Sequence, residues 1–131
     1  MKKKLQVALS LAMLFVRSQG FAVEIFCPES VSVKQELTKN LKGWNVGHDD
    51  TPHQVDQIIL FSGPPSEKAS LKPDNGDSSE PSYWTLPADP RGYSVGCHYS
   101  GSDIIVSQKI NTGITKCTDV SRKSLHGIEC K

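Results

Sequence analysis

The sequence predicts an all-β domain: an antiparallel sandwich or small barrel of six to eight short strands, held by two disulfides. Short apolar segments alternate with turn-rich segments from residue 23 to the C-terminus, and no convincing long helical pattern interrupts them. An even number of cysteines in a small exported chain is typical of a disulfide framework. Paired Cys-x-x-Cys spacings, which would favour zinc, are missing. The four half-cystines are Cys27, Cys97, Cys117 and Cys130.

The first 22 residues have the three parts of a cleavable export signal. Lys2, Lys3 and Lys4 precede an apolar run, residues 5–16, and small residues at Gly20 and Ala22 fit a cleavage site after Ala22. The apolar run is shorter than the roughly 20 residues needed to span a membrane. We therefore expect residues 1–22 to be removed and residues 23–131 to form a single domain in the periplasm, without a membrane anchor.

The charge of the mature part argues against nucleic acid as a partner. Four of the 15 basic residues lie in the signal, which leaves 11 against 14 acidic residues and a net charge of −3. No basic cluster remains for phosphate groups or an anionic membrane surface.

Several strands can be located from their apolar alternation. We predict strands at 57–62, 83–86, 93–99, 104–110, 114–120 and 128–130. Asn111-Thr112-Gly113 has the composition of a tight hairpin turn. Residues 31–41 fit either a strand or a helix, whereas residues 45–57 and 66–82 are polar and predict surface loops.

The strand layout favours one disulfide pairing. Cys117 and Cys130 are about equally far from a hairpin tip near Lys123, which places them opposite each other on neighbouring strands. Cys27 would then pair with Cys97. The other two connectivities remain open at this point.

The sequence contains no recognisable catalytic set. A Gly-x-Ser-x-Gly elbow, a phosphate loop and a dinucleotide fingerprint are all missing, and disulfides would consume the thiols. We therefore expect no enzyme activity, no cofactor and no metal site. The densest polar group is His48, Asp49, Asp50 and His53, but Pro52 disfavours the helix that would place both histidines on one face. Trp44 and Trp84 are expected in the core.

A set of local strings resembles one family of small exported proteins of Gram-negative bacteria, named after a locus tag. Some members are associated with type VI secretion clusters, which implies immunity to a periplasmic effector. A looser similarity is to periplasmic lysozyme inhibitors, whose inhibitory loop has its nearest local match at Ser100-Gly101-Ser102. Because Ser-Gly is common in hairpin turns, a plain turn is the favoured interpretation of these three residues. The strings that carry the first resemblance are Cys27-Pro28-Glu29, Gly43-Trp44, residues 60–65, residues 71–74, Trp84-Thr85-Leu86, residues 93–99 and Cys117.

These observations predict a protein that binds another protein, as an immunity protein or inhibitor of a cell-wall-active enzyme or secreted effector. A rigid disulfide-held scaffold lowers the ordering cost of presenting loops. The alternative is a glycan or small-molecule module using Trp44, Tyr83, Trp84 or Tyr99 as a stacking platform. The candidate partner-binding residues are His48, Asp49, Asp50, His53, Asp74 and Asp77.

Overall fold

The computed structural model describes residues 22–76 and 81–131, so the predicted export signal lies, except for Ala22, outside the described residues. The described chain contains nine strands and one 3₁₀ turn, Pro65–Glu67. The strands are β1 (Val23–Phe26), β2 (Ser30–Val31), β3 (His53–Ser62), β4 (Ser70–Leu71), β5 (Tyr83–Thr85), β6 (Tyr93–Tyr99), β7 (Ile105–Lys109), β8 (Lys116–Arg122) and β9 (Leu125–Cys130).

The strands form two antiparallel sheets, which confirms the all-β prediction. One sheet has the order β1-β9-β8-β5. The other has the order β2-β3-β6-β7. β4 pairs with β3 on the same edge as β2, but at the opposite end of β3. The chain changes sheets four times: between β1 and β2, between β4 and β5, between β5 and β6, and between β7 and β8.

The main core lies between the two sheets. Leu60 and Val95 come from the β3–β6 pair, and they pack in one cluster with Trp84, Cys117 and Ile128 from the opposite sheet. Burial of such side chains contributes about 25 cal/mol per Å² of apolar surface, so this layer is the main source of stability. A smaller cluster of Cys27, Cys97 and Tyr99 closes one end.

The predicted disulfide pairing is confirmed. Cys27 bonds to Cys97 on β6 and links the end of β1 to the opposite sheet, while Cys117 bonds to Cys130 across β8 and β9. Lys123, expected near the hairpin tip, has φ +57 in the turn between these strands. No free cysteine is present among the described residues.

Three local predictions were wrong. Residues 53–57 were expected in a loop but begin β3, because Gln54 and Val55 pair with β2 and β6 although their neighbours are polar. Residues 32–41 are neither strand nor helix, since regular structure stops at Val31. Finally, Asn111-Thr112-Gly113 does not close a hairpin, because β7 pairs with β6 whereas β8 pairs with β5 and β9.

The polar stretch 66–82 is only partly a loop, since β4 lies within it and pairs with β3. Within the described ranges there is no helix long and apolar enough to cross a membrane.

Candidate partner-binding site

The most unusual feature of the fold is a long connection without regular structure, residues 32–52, which we call the arm. β2 and β3 are hydrogen-bonded neighbours, with Val31 opposite His53, so the arm leaves and re-enters the sheet at one point. Every residue from 34 to 52 is exposed. Connections longer than about 12–15 residues without secondary structure are uncommon in compact domains and usually functional.

The base of the arm is held against the turn between β6 and β7. The Gln35 side chain donates from Nε2 to the carbonyl oxygen of Gly101 at 3.1 Å. His53 Nδ1 lies 2.6 Å from the carbonyl oxygen of Ser100. Because a carbonyl oxygen only accepts, Nδ1 must carry the proton in this contact. The Ser100-Gly101-Ser102 turn thus supports the arm.

Four of the predicted site residues meet at this base. His48, Asp49, Asp50 and His53 line a concavity of about 830 Å³, together with Lys34, Gln35 and Ser100 among others. The sequence placed the four in one loop; the structure shows that β3 and the β6–β7 turn supply the rest of the wall.

Asp49 stabilises the local shape of the arm. Its Oδ1 accepts hydrogen bonds from the Thr51 hydroxyl at 2.5 Å and from the Thr51 backbone N–H at 2.9 Å. These bonds, first the one to the hydroxyl, lower the pKa of the Asp49 carboxyl below its usual range. The carboxylate therefore remains ionised at neutral pH and turns the chain into β3.

The other two predicted acidic residues do not line this concavity. The Asp74 carboxylate accepts a hydrogen bond from the Thr85 backbone N–H at 2.9 Å, and its hydrogen bonding to Thr85 lowers its pKa. Asp74 thus stabilises the end of β5. Asp77 lies outside the described residues.

Metal binding has no support from the arrangement of these side chains. In the part of the chain that the structure describes, no three His, Cys, Asp or Glu residues converge as metal ligands would. The two histidines and two aspartates line the concavity as polar side chains.

The two tryptophans have opposite environments. Trp84 is 4% exposed and its indole N–H donates to the Leu71 carbonyl oxygen at 3.2 Å, which confirms the core prediction. Trp44 is 78% exposed on the arm, so the prediction that it is a core residue was wrong. The available signal was Gly43, directly before it, which indicates a turn and not a core strand.

The aromatic residues do not assemble into a stacking platform. Tyr99 is fully buried, and its hydroxyl donates to the Pro28 carbonyl oxygen at 2.7 Å. Tyr83 is half-buried beneath the Lys116 ammonium group, which lies 4.7 Å from the ring centre. Burial of Trp84 and Tyr99 favours a protein-binding role over a glycan-binding one, since stacking needs exposed ring faces.

A small sandwich stapled by two disulfides, with a 21-residue exposed arm at one end, defines a class of rigid binding proteins. The model of the type VI secretion system Tli immunity protein family matches residues 49–131, more than half of the chain. The chain belongs to this immunity protein family. Neither the curated proteins nor the solved structures contain a match to it.

Membership of this family gives the general role of the chain. It is an immunity protein, and its partner is an effector protein. The two disulfides fit an oxidising compartment.

Proposed function

We propose that this chain is exported to the periplasm, where it binds a type VI secretion effector with the arm end of the sandwich and blocks it sterically. The observation that carries the proposal is the arm, a long exposed segment fixed on a rigid frame. Rigid frames lower the entropy lost when a loop is ordered in a complex, which favours tight inhibition.

The periplasmic location is supported by two independent features. Residues 1–22 have the composition of a cleavable export signal, and the mature part contains two disulfides that form in oxidising compartments. Both disulfides involve buried cysteines of the core clusters, so the fold depends on an environment that allows them to form.

The proposed mode of action is occlusion, without turnover. His48, Asp49, Asp50 and His53 would supply polar contacts around the rim of the interface, where hydrogen bonds and charges select the partner. Asp74, which follows β4 at the other end of β3 from the arm, would contribute only if the effector reaches past β5.

The proposed target is a cell-wall-active enzyme. The proposal of this target class rests on the looser similarity in overall plan to periplasmic lysozyme inhibitors, whose inhibitory loop has its nearest local match in the Ser100-Gly101-Ser102 turn. In this fold the turn lies directly at the base of the arm and contacts Gln35 and His53. An inhibitor of an enzyme cleft needs such a projecting element, because a flat sheet face cannot enter a concave site.

The proposed function is tested by co-culture. A strain lacking this protein is mixed with its parent, which carries an active type VI secretion system, and surviving cells are counted. We expect loss of survival, rescue by the full chain, and no rescue by residues 23–131 produced without the signal. Survival of the deletion strain would contradict the immunity role, and rescue by the signal-less chain would contradict the periplasmic location.

A further inference from the structure

Large apolar side chains are concentrated on one short part of the arm. Among the described residues, seven large apolar side chains are exposed, and four of them lie within residues 37–46. We call these four side chains the apolar ridge: Leu37 (52% exposed), Leu41 (56%), Trp44 (78%) and Val46 (53%). Exposed large apolar residues that are grouped in this way are typical of interaction sites in soluble proteins.

The tip of the ridge is shaped by a tight turn. The Trp44 backbone N–H donates to the Leu41 carbonyl oxygen at 3.2 Å, and Gly43, between them, has φ +84. This conformation is open to glycine and strained for other residues. The turn connects Leu41 to Trp44, so the backbone of this part of the ridge has a defined shape before any partner binds.

The ridge carries positive charge on an acidic protein. Residues 37–46 contain Lys39 and Lys42 and no carboxylate, whereas the predicted mature part has a net charge of −3. Lys34, just before the ridge, is paired with Glu36 at 2.6 Å. In the described ranges, neither Lys39 nor Lys42 forms an ion pair. The two ammonium groups are therefore available to a partner.

We propose that the apolar ridge is the anchor of the immunity complex, inserted into an apolar pocket of the effector whose rim is acidic. The inference rests on the proposed function and deepens it. Trp is enriched among residues that dominate binding energy, and flanking lysines select acidic surroundings through charge complementarity.

The test measures survival in the co-culture assay for two variants of the ridge, the single variant Trp44→Ala and the double variant Leu41→Ala/Trp44→Ala. Truncating an anchoring Trp typically weakens a complex by about 30-fold or more. We therefore expect Trp44→Ala, and more so Leu41→Ala/Trp44→Ala, to lose most of the protection. The matched control is Leu125→Ala, an exposed leucine in the turn-proximal part of β9, which should protect fully. Each variant is checked for unchanged melting temperature and cellular amount.

Each outcome has a distinct meaning. If Leu41→Ala/Trp44→Ala protects fully while the deletion strain dies, the proposal that the ridge anchors the complex is overturned, but the immunity role remains intact. Survival of the deletion strain overturns the immunity role, and the ridge proposal with it.

Two further measurements distinguish other occupants of the ridge. Binding of the wild-type mature chain, but not of Trp44→Ala, to phosphatidylethanolamine–phosphatidylglycerol vesicles would identify a membrane contact. A wild-type dimer that Trp44→Ala dissociates in sedimentation would identify a second copy of the chain. Either result would overturn the proposal, whereas a monomer that leaves vesicles unbound supports it.

Discussion

Gln35 and Gly101 are joined by a hydrogen bond, 3.1 Å from the amide Nε2 to the carbonyl oxygen, across 66 residues of sequence. This bond ties the first part of the arm to the β6–β7 turn. Together with the contact of His53 with Ser100, it fixes the direction in which the arm leaves the sandwich. The arm is therefore rigid at its base although it has no regular structure.

Gln35→Ala should loosen the arm without unfolding the domain. An exposed hydrogen bond contributes about 0.5–1.5 kcal/mol, so trypsin cleavage after Lys39 and Lys42 should become about twofold to tenfold faster. The melting temperature should hardly change, because Gln35 is exposed and its hydrogen bond to Gly101 lies outside the core. The control is Gln108→Ala on β7, which should leave the cleavage rate as it is; an unchanged rate in Gln35→Ala would contradict the tether.

The pair of His98 and Asp56 predicts a pH-dependent contribution to stability. Asp56 is the extra residue of a bulge in β3, and its Oδ1 lies 2.6 Å from His98 Nδ1. This hydrogen bond is the main cause that raises the pKa of His98 above its ordinary 6.5. Nuclear magnetic resonance titration should show that Asp56→Asn lowers the pKa of His98, with a smaller effect of Asp103→Asn.

The sign of the pH effect follows from the raised pKa. Protonated His98 is favoured in the folded chain, so the stabilisation is complete below pH 6.5 and is lost as the pH rises through the folded-state pKa. Denaturation by urea should show the largest difference between wild type and Asp56→Asn near pH 6. A difference that grows as the pH rises above 8 would contradict this assignment.

The two disulfides should contribute unequally. The Cys27–Cys97 bond closes a loop with a sequence separation of 70, and the Cys117–Cys130 bond one of 13. Chain-entropy estimates give about 4 and about 3 kcal/mol. Urea unfolding should therefore show a greater loss of unfolding free energy for Cys27→Ser/Cys97→Ser than for Cys117→Ser/Cys130→Ser. In the first variant, the backbone amides at the arm end should also exchange their hydrogens faster. Equal or reversed losses would contradict the loop-length account.

Two tyrosines provide a matched test of burial. Tyr99 and Tyr93 both donate to a proline carbonyl oxygen, that of Pro28 at 2.7 Å and that of Pro87 at 2.5 Å. Tyr99 is fully buried and Tyr93 is partly exposed. Tyr99→Phe should lower the free energy of unfolding by about 1–2 kcal/mol, because water replaces the lost hydroxyl poorly in a buried site. Tyr93→Phe should cost clearly less, and similar losses would indicate that water reaches the Tyr99 site.

Sequence reasoning succeeded where apolar periodicity and cysteine spacing determine the structure. The alternation from Tyr93 to Tyr99 and the symmetric spacing of Cys117 and Cys130 about Lys123 were sufficient to predict β6, the β8–β9 hairpin and both disulfides. β6 and the β8–β9 hairpin depend on local pattern or on pairing between adjacent segments, and the Cys27–Cys97 pairing was favoured because these two cysteines remained.

The remaining features depend on long-range pairing that no local pattern encodes. Asn111-Thr112-Gly113 has the composition of a hairpin turn, but β8 pairs with β9 and β5 and therefore lies in the opposite sheet from β7. Trp44 resembles a core residue by type, and Gly43 before it indicates a turn, but the stop of β2 at Val31, which shows that the arm leaves the core, is visible only in the structure. The concavity likewise needs the β6–β7 turn, about 50 residues away from His48 in the chain.

The central claim is that this immunity protein contacts its effector with the arm end. Site-specific photocross-linking tests it most directly, with benzoylphenylalanine replacing Trp44 in target cells attacked by the parent strain. The control replaces Asn111, which is exposed beyond the far end of β7. The account predicts a cross-link from position 44 to a delivered type VI effector and none from position 111. A cross-link from position 111 alone, in cells that remain protected, would contradict it.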